Sequence, residues 1–147
     1  MVRHNNYAQR RDVEGWDTEV RASASRSLGP TSLGFAYFSI ERSWANDPGQ
    51  AYWRARLGVG ILKEISWGLR PQLTIDLARQ VGDQPLAPFG ERRRDWFVQG
   101  SFGLYKRNWN VGGFAPSLSF TMARNRSTLS LYDEKRLRAE IRLTKAF

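Results

Sequence analysis

The chain has no cysteine, which excludes a disulfide framework, a thiolate metal site and a cysteine nucleophile. His4 is the single histidine, so neither a histidine-based zinc site nor a Ser-His triad fits. No stretch approaches the run of about 18 apolar residues that marks a transmembrane helix. The first fifteen residues, MVRHNNYAQRRDVEG, lack an apolar h-region and do not read as a signal peptide. Lysine is scarce too: only four of the 23 basic residues are Lys, the rest Arg. Together these absences argue against a metal- or histidine-dependent enzyme, and no cofactor is expected.

What is present points elsewhere. The 147 residues suffice for one domain of ordinary size. A net charge of +9 suggests an anionic partner: nucleic acid, phospholipid or lipopolysaccharide, or acidic protein. Thirteen Gly, six Trp, five Tyr and eight Phe are the usage of β structure. The negative mean hydropathy does not oppose a membrane barrel, in which every second residue faces a polar lumen.

Alternation at period two recurs along the chain, with turn residues between the runs. Trp16, Thr18, Val20, Ala22 and Ala24 oppose Asp17, Glu19, Arg21, Ser23 and Ser25 in a run over about 15–27. After Gly29-Pro30-Thr31, a second run over about 33–44 sets Ala36, Phe38 and Ile40 against Tyr37, Ser39 and Glu41, with Leu33 and Phe35 blurring its register. The third is the clearest, Trp53, Ala55, Leu57, Val59 and Ile61 against Tyr52, Arg54, Arg56, Gly58 and Gly60. Leu73, Ile75 and Leu77 then oppose Gln72, Thr74, Asp76 and Gln80. A long connection is expected over 82–91, with Pro85, Pro88 and Gly90. Runs around Trp96–Tyr105, Ser117–Ala123 and Leu137–Phe147 complete a set of seven. Strands of 10–14 residues have the length that crosses a bilayer at a tilt of about 45°. No helical period competes.

Alternation alone does not separate a soluble barrel from a membrane barrel, because the two differ only in which face meets solvent. The tryptophans decide between them. Placing the end of the chain in the periplasm puts Trp16, Trp44, Trp53 and Trp96 at upper strand ends and Trp67 and Trp109 in lower turns. None falls mid-strand. Indole favours the headgroup level, so this is the pattern of a double aromatic girdle. The expected fold is therefore all-β, an antiparallel transmembrane β-barrel in the bacterial outer membrane. Residues 15–147 form the barrel segment, and 1–14 are the end of an extracellular loop or an irregular segment.

On this reading Glu19, Arg21, Glu41, Arg54, Arg56, Asp76, Arg138, Glu140 and Arg142 face the lumen. They are either contacts for a translocating polypeptide or a salt-bridged interior that satisfies its own charge. Arg92, Arg93 and Arg94 lie where lipopolysaccharide phosphates would be, and Arg forks suit phosphate; an ordinary solvated loop is the alternative. Gly58-Val59-Gly60 precedes no helix and is not a dinucleotide fingerprint; lumen glycines beside large side chains such as Tyr52 explain it better. Asn125-Arg126-Ser127 matches a glycosylation sequon by chance. The last strand places Leu137, Ala139, Ile141, Leu143 and Phe147 on one face, an amphipathic strand with a terminal aromatic of the kind that the barrel assembly machinery recognises. Lys145 departs from that face but can snorkel at the lower rim.

The stretches Pro88-Phe89-Gly90-Glu91-Arg92-Arg93-Arg94-Asp95, Gly113-Phe114-Ala115-Pro116-Ser117-Leu118, Arg124-Asn125-Arg126-Ser127 and Leu131-Tyr132-Asp133, with Arg136 and the closing Leu143-Thr144-Lys145-Ala146-Phe147, resemble the C-terminal barrel of the surface lipoprotein assembly modifiers. The likeness is specific over about the last 60 residues, and Thr128 departs from the Asn the family pattern has there. The resemblance implies a 14-stranded barrel that aids translocation or surface display of client lipoproteins or secreted proteins, without bond chemistry. Seven strands would then be the C-terminal half, with the remaining half of the barrel as a partner. An eight-stranded closed barrel is the structural alternative, but VRHNNYAQRR makes a poor lipid-facing strand. A generic porin is the first functional alternative. A soluble Arg-rich β domain binding single-stranded nucleic acid is the second; with no RNA-binding motif, no nucleic acid is expected.

Overall fold

The computed structural model describes residues 2–5, 15–87, 89–106 and 114–145. They form one antiparallel sheet of eight strands in sequential order: β1 (Val2–Asn5), β2 (Gly15–Gly29), β3 (Ser32–Ala45), β4 (Tyr52–Lys63), β5 (Leu69–Leu86), β6 (Glu91–Lys106), β7 (Phe114–Ser127) and β8 (Glu134–Lys145). Seven are long. The eighth, β1, lies in the stretch expected to be a loop end or irregular, and pairs its four residues with Gly15–Thr18 of β2. Single 3₁₀ turns at Ser66–Gly68 and Ser130–Tyr132 are the only helical elements among the described residues.

Strictly alternating Trp53–Ile61 and Leu73–Leu77 account for the strand character of β4 and β5, and the five hairpins from β2 to β7 account for the sequential order. Pro71 and Pro116 sit near strand starts, where a missing N–H disturbs the ladder least. The connection expected over 82–91 is mostly strand. β5 and β6 run on past the bulge between Val81 and Pro85, pairing Pro85 with Arg92 and Leu86 with Glu91, and the Phe89 and Gly90 amides donate to the Leu86 carbonyl, with Gly90 at φ 66°. The bulge leaves Gly82, Asp83 and Gln84 out of the β5–β6 register and lets the pairing resume at Pro85. Among the described residues no pairing joins β8 to β1 or β2; the sheet is open, where a closed barrel would have none of its strands at an edge.

The burial is inverted relative to a water-soluble sheet. Buried apolar residues are few and mostly small, namely Ala51, Ala78, Leu86, Ala115, Ala123 and Leu129. Leu57, Val59, Ile75, Val98 and Phe120 are instead 45–47% exposed. On the opposite face Ser39, Asp76, Gln80 and Asp95 are buried. Each strand thus turns its apolar side outward and its polar side toward its neighbours' side chains.

Candidate functional site

The register brings the polar side chains into rows. Glu19, Glu41, Arg54 and Gln80 are successive partners across β2–β5, and Asp95 continues the row on β6. Arg54 donates to Glu41 at 3.1 Å and through its Nε to Gln80 at 3.0 Å, while the Tyr52 hydroxyl donates to the other Glu41 oxygen at 2.7 Å. Four residues down, Tyr37 faces Gly58, which faces Asp76. The Tyr37 hydroxyl donates to Asp76 across the glycine, and the Arg21 guanidinium lies 3.9 Å over the Tyr37 ring. A Cβ at Gly58 would stand 2.2 Å from that ring, and one at Gly60 2.3 Å from Phe35. The large side chains over these glycines are therefore Tyr37 and Phe35 rather than Tyr52. Phe35, the residue that blurred the register of its run, is on the polar face because it covers Gly60.

A cleft of about 310 Å³ opens on the same face, lined by Arg54, Arg56, Gln80, Arg93, Asp95, Phe97, Tyr132, Glu134 and Arg136 among others. In it the Arg93 Nε donates to Asp95 at 2.7 Å, and the guanidinium lies 3.7 Å over the Tyr132 ring. Asp95 is 4% exposed, and its second oxygen has no protein partner. Farther along, Glu140 pairs with Arg142 and, at 3.3 Å, with Arg138. Glu134 pairs with Arg136. These last Arg residues are some 70% exposed on the edge strand.

All nine charges expected to share a face do share one, and the structure brings together Glu41 with Arg54 and Glu140 with its two Arg neighbours. It does not bring Asp76 to an Arg: the phenol of Tyr37 serves it. Gln80, Asp95 and Arg136 join this face without having been counted among its charges from the sequence. Arg93 joins it too, having been expected as one of three lipopolysaccharide contacts. Alternation forbids three consecutive side chains on one face. Arg93 turns to Asp95, Arg92 donates to the Asp83 carbonyl, and Arg94 stays on the apolar side, where its register partner is Val81.

The apolar face carries the tryptophans. Trp16 and Trp44 are direct partners, Trp53 and Trp96 occupy the same end of β4 and β6, and all four are about half exposed. Trp67 lies at the opposite end, 84% exposed, with φ at 70° in its turn. Trp109 and Phe147 lie outside the described residues. Leu137, Ala139, Ile141 and Leu143 line the outer side of β8 and are all exposed.

Cations accompany the upper tryptophans, a feature the run-by-run reading passed over because each sits alone in its strand. Arg42 lies between Trp44 and Trp53, 5.5 and 5.1 Å from their ring centres. It makes a two-pronged pair with Asp83, one contact at 2.6 Å. That hydrogen bond holds the Asp83 carboxyl below the usual carboxylate range, against a small opposing effect of burial. Arg79 stacks 4.5 Å over Trp96.

The family model described as surface lipoprotein assembly modifier matches residues 2–147. Neither the curated proteins nor the solved structures give a match.

Proposed function

This chain belongs to the surface lipoprotein assembly modifier family, and from that premise we propose that it is a wall of an outer-membrane barrel that helps client lipoproteins reach the cell surface. Family membership carries the general role in surface lipoprotein assembly. The membrane barrel, the client contact and the absence of bond chemistry are the proposal.

One observation carries it: the apolar face is the exposed one. In water, each large aliphatic or aromatic side chain left exposed forgoes about 1.5–3 kcal/mol relative to burial. Many do so here at once, against a net folding stability of about 5–15 kcal/mol for a typical domain. In hydrocarbon the same face is at home. Its height fits as well. From Trp96 to Lys106 the outward positions of β6 are Val98, Gly100, Phe102 and Leu104, uncharged throughout. Ten residues at about 3.4 Å each, tilted about 45°, rise about 24 Å, against an apolar band of about 25 Å in barrels of this type.

The open edges, β8 on one side and β1 with the uncovered part of β2 on the other, expose unpaired backbone groups, which lipid does not tolerate. Further strands, the remaining half of the barrel, complete the sheet, and the isolated segment is expected to be inactive. The polar face then lines an interior whose charges are largely matched in pairs, a wall that neither holds a client fast nor repels it. The barrel assembly machinery and lipopolysaccharide are the other expected partners.

The test uses the complete reading frame with a client lipoprotein, scoring surface exposure by protease shaving of intact cells. Loss of exposure on deleting the β2–β8 segment, with the client still acylated, supports the role. Unchanged display, or recovery of the protein in the soluble fraction, overturns it. Solute flux without any effect on display would favour a porin.

A further inference from the structure

The cations on the apolar face are not evenly treated. Arg42 is closed by the two-pronged Asp83 pair. Around Trp96 the pattern differs. Arg79, Trp96 and Arg126 are successive register partners on β5, β6 and β7, so the two Arg residues stand on either side of Trp96 in the sheet, and the Arg79 guanidinium is stacked on its ring at 4.5 Å. Arg94 is two residues up β6 from Trp96, and Arg124 two residues down β7 from Arg126, both on the same side by alternation. The one carboxylate that meets this group is Asp133, 3.5 Å from Arg124. Among the described residues Arg79, Arg94 and Arg126 have no carboxylate partner.

We propose that Arg79, Arg94 and Arg126, gathered around Trp96 on the outer face, form a binding site for the phosphorylated headgroup of lipopolysaccharide. The proposal rests on the reading of the apolar face as lipid-facing. Immediately below the cations that face continues as Leu77, Val98 and Met122, all exposed, so the occupant must carry acyl chains as well as negative charge. Unpaired Arg at the border of the hydrocarbon is costly unless it finds an anion. Guanidinium forks bind phosphate oxygens in two-pronged fashion, and the indole belongs at headgroup depth. Three unneutralised Arg on strands about 4.8 Å apart match more than one phosphate. That favours a lipid bearing two phosphates over a glycerophospholipid with one. Among the described residues the outward cations toward the opposite rim, Lys63 and Lys106, lie singly on separate strands.

The full-length protein, purified in mild detergent, is titrated with bisphosphorylated lipid A, with its dephosphorylated form and with inorganic phosphate, and bound lipid is counted by native mass spectrometry. The Arg79→Gln/Arg94→Gln/Arg126→Gln variant is expected to lose affinity for bisphosphorylated lipid A by about tenfold or more. The corresponding Arg→Lys variant, which keeps the charge but loses the fork, should bind more weakly than wild type and more tightly than the Gln variant, and Lys63→Gln should bind as wild type. Heat-modifiable mobility verifies folding; if the triple Gln variant does not fold, Arg126→Gln alone is compared with Arg126→Lys. Equal binding by the Gln and wild-type proteins, equal binding of dephosphorylated lipid, or competition by inorganic phosphate at lipid-like concentration overturns the site. Surface display of the client in the same strain is scored separately. A membrane-embedded, display-competent protein that shows no phosphate preference sinks the site alone, whereas a soluble protein sinks both readings.

Discussion

Tyr37 lies across Gly58 and donates its hydroxyl to Asp76, so one phenol spans three strands and satisfies a carboxylate that is 8% exposed. Only a residue without a side chain leaves room for the ring, and only an acceptor beyond it gives the hydroxyl a destination. Gly58→Ala should therefore force the ring off its seat, because the new methyl would stand 2.2 Å from it. The expected cost is on the order of 1–3 kcal/mol, that of an overpacked site, read as a lowered unfolding midpoint by heat-modifiable mobility. In the Tyr37→Ala background the same glycine change should cost less, and a fully additive pair would refute the steric coupling. Tyr37→Phe keeps the ring and should lose about 1–2 kcal/mol for the unsatisfied acceptor.

Arg93 and its neighbour Arg92 give a sharper contrast. Removing Arg93 strands a nearly buried Asp95 carboxylate, at about 3–5 kcal/mol. Arg92→Ala touches only a carbonyl at the exposed hairpin and should fall within about 0.5 kcal/mol of wild type. Similar destabilisation by both changes would contradict the inward placement of Arg93. The Arg93→Ala/Asp95→Ala pair should recover much of the loss.

The Asp83 carboxyl is held below its ordinary value by Arg42. Its contribution to stability is thus present above about pH 4, the unfolded value, and is lost as pH falls through the lower folded value. Arg42 stands in the Trp53–Val81 row and Asp83 two residues beyond it, so acid should loosen the 82–91 hairpin before the rest of the sheet. Hydrogen exchange across the hairpin, measured at pH 6 and again below pH 3, should show protection falling in wild type. Asp83→Asn should be less protected at pH 6 and should change little with acid.

Leu57 and Arg56 are neighbours in sequence with opposite surroundings. If the apolar face meets lipid, Leu57→Arg at mid-band should cost about 2–4 kcal/mol. In a soluble sheet the same change puts a charge into water and costs almost nothing. Equilibrium unfolding from vesicles separates the two, and a neutral Leu57→Arg would remove the membrane reading.

The alternation at Trp53–Ile61 was enough to establish strand, and with it the two faces, because side chains of an extended chain alternate whatever they pair with. That is why all nine charges assigned to one face are found on one face. The ends of the strands were less legible. Residues 82–86 looked like loop because Gly82 and Pro85 read as breakers, and only pairing with β6 across a bulge makes them strand.

By itself the sequence determined the strand character, the polar and apolar sides, the placing of Trp16, Trp44, Trp53 and Trp96 toward one end of the strands and, through motifs spread over its last 60 or so residues, the family. Those are properties of single segments, set by local periodicity and composition. Which residue meets which was decided only by register: Tyr37 over Gly58 and on to Asp76, Arg79 and Arg126 about Trp96. Register is a relation between strands, and a shift of one residue would have reversed every face while leaving the same sequence pattern in view. Partners 17 to 39 positions apart become neighbours only when the backbone ladders lock, and the ladders belong to the tertiary structure.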